Sequence, residues 1–143
     1  MIMGDFCALS PAQRKRMLGK FHDMSESGGS ILLDVYSLAM FDQRKETANY
    51  ELNLLDGFWS PEKYYGFLNT FKYDKEKVVL DRFVLIEPSR TRTIYNWLQC
   101  FSTESIEREF LECGFIINEV YSDVAGSTLE REATEFAIVA SKR

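Results

Sequence analysis

The chain has 143 residues, of which 45% are hydrophobic and 14% aromatic, so it can bury the core of one folded domain and is not intrinsically disordered. Lys and Arg number 17 against 22 Asp and Glu, giving a net charge of −5. Proteins that hold nucleic acid nonspecifically carry the opposite balance, because Lys and Arg make the phosphate contacts. We therefore expect no nucleic-acid partner.

Membrane and metal functions are also not predicted. No apolar run approaches the roughly 20 residues that span a bilayer, and the N-terminus lacks the basic and apolar stretches of a signal peptide. We expect a cytoplasmic protein without a membrane partner. Cys7, Cys100 and Cys113 are odd in number and form no C-x-x-C pair. Neither a disulfide framework nor a zinc site is predicted, and we expect no metal.

The first predicted element is a helix from Pro11 to about Met24. Ser10 is suited to the N-cap, proline to the first turn, and Gln13 to the capping-box position. Gly28-Gly29 turns the chain, and Ile31–Val35 follows as a continuous apolar run. Such a run is typical of a strand that is covered on both faces.

The middle of the chain predicts an antiparallel meander of three strands. Residues 37–60 are irregular, and we assign no element there. Residues 64–73 alternate, with Tyr65, Phe67, Phe71 and Tyr73 on one face. Two further strands are predicted at Val78–Glu87 and Thr93–Phe101, separated by polar turns.

The last part of the chain predicts one helix and two strands. Ser102 or Thr103 caps a helix in which Ile106, Phe110 and Cys113 share one face, and which ends at Gly114. The two strands are Phe115–Tyr121 and Glu135–Ala140. Together with Ile31–Val35 they are expected to share one sheet, with both helices packed against it. The chain is thus predicted to be a single α/β domain, 1–143, with an antiparallel insertion at 61–101.

Few residues suggest chemistry by themselves. No phosphate-binding glycine motif and no nucleophile triad can be found, and the one histidine, His22, is best explained at the edge of the core or in solvent. Asp5 precedes a capped helix, where it either caps the loop or lies at the carboxyl end of a strand that binds a ligand. Arg82 either pairs with Asp81 or Glu87 at the surface or reaches an acidic ligand group.

The aromatic residues of the meander form a second candidate site. Aromatic side chains at alternating strand positions usually belong to a core. Tyr95 and Trp97, however, share a strand face with polar Thr93 and Gln99, and so they could line a cleft.

The order of these elements, together with several short segments, resembles one family, the class I S-adenosylmethionine-dependent methyltransferases that act on small molecules. The segments are Gly4–Pro11, Gly28-Gly29 with Ile31–Val35, Gly57–Ser60, Tyr95–Leu98, Gly114-Phe115 and Phe136–Ala140. The resemblance covers the second half of such an enzyme. It implies a partial Rossmann-like sheet that holds the family's fourth to seventh strands, the last antiparallel, with the meander as an insertion over the substrate pocket.

The resemblance also implies roles for particular residues. Asp5 would end the fourth strand, Asp5 or a tyrosine would act as a base, and Asp5, Phe6 and Cys7 would border the cofactor S-adenosylmethionine. The residues implied for the small-molecule substrate are Trp59, Tyr65, Tyr95 and Trp97. The family's glycine-rich cofactor loop has no counterpart among the 143 residues of this sequence, so we expect the chain to be inactive alone.

Two functions from different classes remain. The first is the substrate-side portion of a methyltransferase, active only when a cofactor-binding half completes it. The second is a non-catalytic α/β module whose aromatic meander holds a small ligand or a second chain. We further expect a homodimer, formed where the partial sheet leaves a strand edge and apolar surface exposed around Ile31–Val35 and the first helix.

Overall fold

The computed structural model describes Met1 and residues 3–143. No helix within this part of the chain is both long and apolar enough to cross a bilayer. A short 3-10 helix at Asp5–Ala8 comes first in the chain. The elements that follow are α1 (Pro11–Met24), β1 (Ser30–Tyr36), α2 (Leu38–Gln43), β2 (Thr47–Leu52), β3 (Tyr65–Tyr73), β4 (Val78–Ile86), β5 (Thr91–Gln99), α3 (Thr103–Glu112), β6 (Phe115–Tyr121) and β7 (Glu135–Lys142).

The two predicted helices form where their caps indicate. The Ser10 hydroxyl accepts a hydrogen bond from the Gln13 amide, and the Gln13 side chain accepts one from the Ser10 amide, which completes the predicted capping box of α1. Ser102 and Ser105 form the same reciprocal pair at the start of α3. These bonds satisfy amide groups that have no partner inside a helix.

The three predicted strands of the first sheet are confirmed. The order is β1-β7-β6, and β7 runs antiparallel to both neighbours. Leu33, Asp34 and Val35 are consecutive and all buried, so β1 is covered on both faces in its second half. Both helices pack against the sheet, since Leu18 of α1 and Ile106 and Phe110 of α3 belong to the same buried cluster as Leu33 and Val35.

The chain divides into two compact units. One comprises Met1–Gln43 with Leu98–Arg143 and contains the β1-β7-β6 sheet; the other is Arg44–Trp97 and contains most of the meander. The α/β fold class is confirmed by these elements. That the whole chain behaves as one domain with an insertion at 61–101 stays a prediction.

The meander has four strands and not the predicted three. β2 joins the edge of β3, giving the order β2-β3-β4-β5, in which β3 is antiparallel to both β2 and β4. All six residues of β2 are exposed, so no buried apolar pattern marks this strand in the sequence. The predicted strands at 64–73, Val78–Glu87 and Thr93–Phe101 are confirmed within two residues at each end.

One face of the four-stranded sheet is covered by the loop between β2 and β3. Leu54 and Tyr64 from this loop form a small core with Phe83 and Leu85 of β4. Gly66 permits the approach, because a Cβ atom there would lie 2.5 Å from the Leu54 Cβ.

Arg82 has a different partner from those predicted. Its Nη2 donates to the Asn69 Oδ1 at 3.0 Å, directly across from it in the β3–β4 pair. Asp81 points to the opposite face and instead accepts from Arg44 at 2.6 and 2.7 Å. Neighbouring residues of a strand project to opposite faces, which is why Arg82 and Asp81 do not pair.

Candidate functional site

The N-terminal segment runs alongside β1 in the same direction. The Met1 amino group donates to the Leu32 carbonyl oxygen at 3.0 Å, and the Met3 and Gly4 amides donate to the Asp34 carboxylate at 2.9 and 2.8 Å. Further along, the Tyr36 amide donates to the Cys7 Sγ at 3.2 Å. Residues further along the N-terminal segment contact residues further along β1, as in a pair of parallel strands.

This segment carries the residues predicted to stand at the end of a strand. The described residues before Asp5 form no strand, and Ile2, which falls within the predicted one, lies outside the described residues. Asp5 opens a 3-10 helix that follows Gly4, whose φ of 68° favours glycine. Because the segment parallels β1, Asp5 and Cys7 lie toward the carboxyl end of that strand.

Of the three residues expected to border the cofactor, Asp5, Phe6 and Cys7, one is exposed and two are buried. Asp5 is exposed, whereas Phe6 and Cys7 are 0% and 1% exposed. The Phe6 ring packs on the rings of Phe101 and Phe110, with centroids 6.2 and 6.1 Å apart. Burial raises the pKa of the Cys7 thiol to about 12, so this thiol is neutral at physiological pH. Only Asp5 offers a side chain to a ligand in this arrangement.

A cavity of about 430 Å³ lies where β1 ends, within the unit that holds the three-stranded sheet. We call it the β1-end cavity. Its walls come from the start of α2, the start of α3 and the segment before β7. The lining residues are Ser37, Leu38, Ala39, Phe101, Ser102, Thr103, Leu129, Glu130, Arg131, Ala133, Glu135 and Phe136.

Two hydrogen bonds fix the wall of the β1-end cavity. The Ser37 hydroxyl donates to the Ala133 carbonyl at 2.6 Å, and the Ser37 amide donates to the Thr134 carbonyl at 2.9 Å. On the other side, the Phe101 amide donates to the Tyr36 carbonyl at 2.8 Å. The carboxyl end of β1 is therefore tied to both the segment before β7 and the start of α3.

Phe101 links the cavity to the N-terminal segment. Its ring lines the cavity and also packs on Phe6. Behind it, the Arg14 guanidinium lies 5.1 Å from the Phe101 ring centroid and pairs with Glu109 at 2.7 Å. Arg14 is 2% exposed, so this ion pair joins α1 to α3 from within the core.

The β1-end cavity combines an apolar floor with a polar rim. Phe101, Phe136 and Leu129 supply apolar surface, and the exposed charged residues at the rim are Glu130, Arg131 and Glu135. Small-molecule sites have this composition and a volume of roughly 300–1,000 Å³. The sequence analysis did not find this cavity, because its walls come mostly from residues 37–39 and 129–135, to which no function was assigned.

The predicted aromatic residues do not lie together. Tyr65, Tyr95 and Trp97 are 45–57% exposed on one face of the four-stranded sheet. Trp59 packs on Phe83 with ring centroids 5.0 Å apart, which places it on the covered face. Within this sheet, Trp59 cannot share one ligand surface with the other three.

No group of three or more His, Cys, Asp or Glu side chains in the described part of the chain is arranged to hold a metal ion. His22 lies at the edge of the core, where its ring meets Phe115 edge to face with centroids 5.8 Å apart. The prediction for His22 is confirmed.

Comparison with known sequences gives no match, either to a protein-family model or to a curated protein. Comparison with solved structures does give matches. The chain matches an S-adenosylmethionine-dependent methyltransferase from Clostridium acetobutylicum with a TM-score of 0.71 and 10% identity, over 99% of this chain and 56% of that one. It matches the CcbJ methyltransferase from Streptomyces caelestis with a TM-score of 0.68 and 10% identity, over 99% of this chain and 58% of that one.

A third match is CalS10 with bound S-adenosylmethionine, an amino pentose methyltransferase from Micromonospora echinaspora. Its TM-score is 0.51 at 14% identity, over 99% of this chain and 56% of that one. The chain thus has part of the methyltransferase fold and spans little more than half the length of these proteins. The partial methyltransferase fold that the resemblance implied is confirmed, with the fifth to seventh strands present as β1, β6 and β7, whereas the described residues contain no fourth strand. S-adenosylmethionine is the cofactor named for two of these three neighbours.

Proposed function

We propose that this chain is the substrate-side portion of an S-adenosylmethionine-dependent methyltransferase and that its β1-end cavity binds a small-molecule methyl acceptor. One observation carries the proposal: the methyltransferase fold extends over 99% of the chain, and the cavity opens at the carboxyl end of β1, where open α/β sheets bind ligands. Methyl transfer then requires a cofactor-binding portion that these 143 residues do not supply.

The residues of this chain do not form a complete site for S-adenosylmethionine. Phe6 and Cys7 are 0% and 1% exposed as whole residues, so neither presents side-chain or main-chain atoms to a cofactor in this structure. Asp5 alone presents a side chain at this place, and the sequence has no glycine-rich phosphate or nucleotide loop. We derive no transfer step through the cofactor for this chain.

The proposed role of this chain is to bind and orient the acceptor. Holding an acceptor in a fixed geometry supplies much of the rate of a transfer reaction, because it removes the entropy cost of bringing the reactants together. Asp5 does not line the β1-end cavity; it is exposed toward the same end of β1, and we propose it as the base that accepts the proton released by the acceptor. Two carboxylates, Glu130 and Glu135, line the cavity against one cation, Arg131, and this balance favours an acceptor that carries a protonated amine, as an amino sugar does.

Calorimetry tests the cofactor part of the proposal. Titration of S-adenosylmethionine into the 143-residue chain is expected to give weak binding or none. Binding at about micromolar Kd or tighter would show that the chain contains a working cofactor site after all. In that case Asp5→Ala is expected to weaken the binding.

Nuclear magnetic resonance tests the acceptor part. Titration with methyl amino-pentosides is expected to shift the amide signals of Ser37, Phe101 and Ser102. Ala39→Trp fills the cavity and should abolish these shifts. Ala125→Trp makes the same change in the exposed segment after β6 and should leave them intact. Equal shifts in both variants would place the ligand elsewhere and contradict the proposal.

A non-catalytic binding or assembly module is the second candidate, and the bare aromatic surface of the four-stranded sheet favours it. Either candidate is compatible with a homodimer, which we also propose. No disulfide joins the three cysteines, which accords with a cytoplasmic location as part of the same proposal.

A further inference from the structure

The outer face of the four-stranded sheet is covered with large apolar side chains that are open to solvent. We call it the aromatic face. Nine of its side chains are 36–75% exposed, and they come from all four strands. They are Tyr50, Leu52, Tyr65, Phe67, Phe71, Tyr73, Ile86, Tyr95 and Trp97.

Strand pairing shows that these residues share one surface. Directly opposed residues project to the same side of a sheet, and Phe67 opposes Tyr50 on one neighbour and Val84 on the other. The Tyr50 and Phe67 rings stack with centroids 5.8 Å apart. At the other end of the sheet, the Tyr73 and Trp97 rings lie 5.7 Å apart, which places β5 on the same surface.

This surface departs from the usual pattern of an antiparallel sheet. Such a sheet normally packs its apolar face and exposes polar residues. Here the packed face is the one with Leu54, Tyr64 and Leu85, and the exposed face is also apolar. The sheet therefore has the two apolar faces of a buried layer while only one of them is covered.

The extent of the aromatic face fits a protein interface. With roughly 200 Å² for each large apolar side chain, about half exposed, the nine residues present about 900 Å² to solvent. The largest apolar patch on a typical monomer is about 300–600 Å², and a stable interface buries about 800 Å² on each partner. The face is large enough to form a stable dimer interface by itself.

The charge on the aromatic face allows an identical surface to pack against it. Among the residues of β3 and β4 that project to the aromatic face, only Arg82 is charged. The guanidinium donates to Asn69 and lies 5.4 Å from the Phe71 ring centroid, while its Nε is buried without a hydrogen-bond partner among the described residues. The acidic side chains responsible for the net charge of −5 are absent from these positions. Two copies can therefore approach without bringing carboxylates together.

We propose that a second copy of this chain packs on the aromatic face in a two-fold symmetric dimer. The inference rests on the homodimer proposed above and names the surface that forms it. A two-fold axis pairs a surface with itself, so one flat apolar face is sufficient for both partners. The face offers no basic cluster for phosphate. Its exposed apolar side chains extend over all four strands, well beyond the cavity of about 460 Å³ at Leu52, Tyr65 and Ile86, which favours another sheet face as its occupant.

The proposed surface differs from the one expected from the sequence. That expectation needed apolar side chains exposed around Ile31–Val35 and α1. Leu18, Leu33 and Val35 are each 0% exposed, so only part of the expected patch, with Met24 at 82% and Leu32 at 41%, reaches solvent. The meander carries the larger set of exposed apolar side chains on one surface.

Light scattering after size-exclusion chromatography tests the proposal on the 143-residue chain. The wild type is expected to have twice the monomer mass of 16.6 kDa. Tyr50→Glu/Ile86→Glu places two carboxylates on the aromatic face and is expected to weaken association at least about 100-fold, because the dimer would bury charges without partners. Phe58→Glu is the matched control, since Phe58 is 74% exposed against 75% for Tyr50 but contacts Trp59 on the covered side.

The outcomes distinguish two questions: whether the chain forms a dimer, and whether the aromatic face is the interface. Loss of the dimer in the double variant, with the control still dimeric and both variants folded by circular dichroism, supports the proposal. A dimer that persists in the double variant overturns the choice of surface and leaves the homodimer itself standing. A monomeric wild type at about 100 μM overturns both. None of these results depends on methyl transfer, so failure of the proposed activity would be recognised separately.

Discussion

The three-stranded and four-stranded sheets differ in how they cover their apolar residues. In the first, α1 and α3 contribute to a single buried cluster, and Leu33, Val35 and Ile138 are 0% exposed. In the second, a loop covers one face and the other keeps nine large apolar side chains in solvent. Burial of apolar area stabilises a fold, whereas exposed apolar area is available for association. The first sheet thus accounts for stability within the chain, and the second carries the surface that we propose for contact with a second copy.

The sharpest test of this comparison is a charge at the centre of the three-stranded sheet. Leu33→Asp is expected to unfold its unit, because an unpaired buried charge and a lost core contact cost several kcal/mol out of a total of about 5–15. Leu32→Asp is the control, since Leu32 is 41% exposed on the same strand, and it should leave the chain folded. Circular dichroism measures both.

The same variant tests whether the chain is one domain. Both tryptophans, Trp59 and Trp97, lie in the unit Arg44–Trp97, whereas Leu33 lies in the other unit. If the chain unfolds as one domain, Leu33→Asp shifts tryptophan fluorescence to that of the unfolded protein. Native fluorescence in the variant would show that the two units fold independently.

Arg44→Met should give the next largest loss of stability, in the unit Arg44–Trp97 that contains most of the four-stranded sheet. Asp81, whose side chain is 9% exposed, accepts hydrogen bonds from Arg44 and from the Thr70 hydroxyl at 2.6 Å. Removing the guanidinium leaves a buried carboxylate without its cation, at a cost of about 3 kcal/mol in urea unfolding. Arg90→Met should cost much less than Arg44→Met, because Arg90 is 61% exposed and its partner Glu87 keeps Arg92. Equal costs would contradict this interpretation.

A smaller loss of folding stability is expected at high pH from ionisation of the Cys7 thiol. Burial raises the pKa of this thiol to about 12 in the folded chain, above its ordinary value of 9.0. Above pH 9 the unfolded chain loses the proton and the folded chain keeps it, so stability is complete below pH 9 and falls as pH rises toward 12. At about 1.4 kcal/mol per pH unit, the loss between pH 9 and 10.5 is about 2 kcal/mol. Unfolding of Cys7→Ala measured over the same range should lack this part of the slope; an unchanged slope would exclude Cys7 as its source.

The smallest effect is expected on the aromatic face. Tyr65→Thr removes a side chain that is 55% exposed and keeps a residue suited to a strand, so it should change the unfolding free energy of the dilute monomer by less than about 0.5 kcal/mol. At concentrations where the wild type is dimeric, the same substitution should lower the melting temperature more than in dilute solution. A concentration series by differential scanning fluorimetry checks this, and an effect independent of concentration would argue against a role of Tyr65 in association.

The sequence predicts the three-stranded sheet well because its signals are local. The continuous run at Ile31–Val35 and the capping residues Ser10 and Ser102 each specify their element without reference to the rest of the chain. The alternation of residues 64–73 likewise predicts which side chains share a face.

Alternation cannot predict which of two faces is covered. That depends on the loop after β2, where Leu54 and Tyr64 fold over the sheet, and this loop has no regular period. Gly66 is the one local signal, since a glycine inside a strand indicates the close approach of another chain segment. The β1-end cavity could not be predicted for a similar reason, because the segments at Ser37 and Ala133 are distant in sequence and are joined by hydrogen bonds that leave no pattern.

The Asp34 carboxylate accepts the Met3 and Gly4 amides, and so a side chain takes the place of the main-chain carbonyl of a β ladder. A ladder of repeated amides and carbonyls can shift by two residues and recover most of its hydrogen bonds. A single carboxylate cannot, because only one position in β1 carries it. The alignment of the N-terminal segment is therefore encoded by side chains, Asp34 on β1 and Cys7 on the segment, and Asp5 between these contacts is held at a fixed distance along the sheet even without the continuous pairing of a strand.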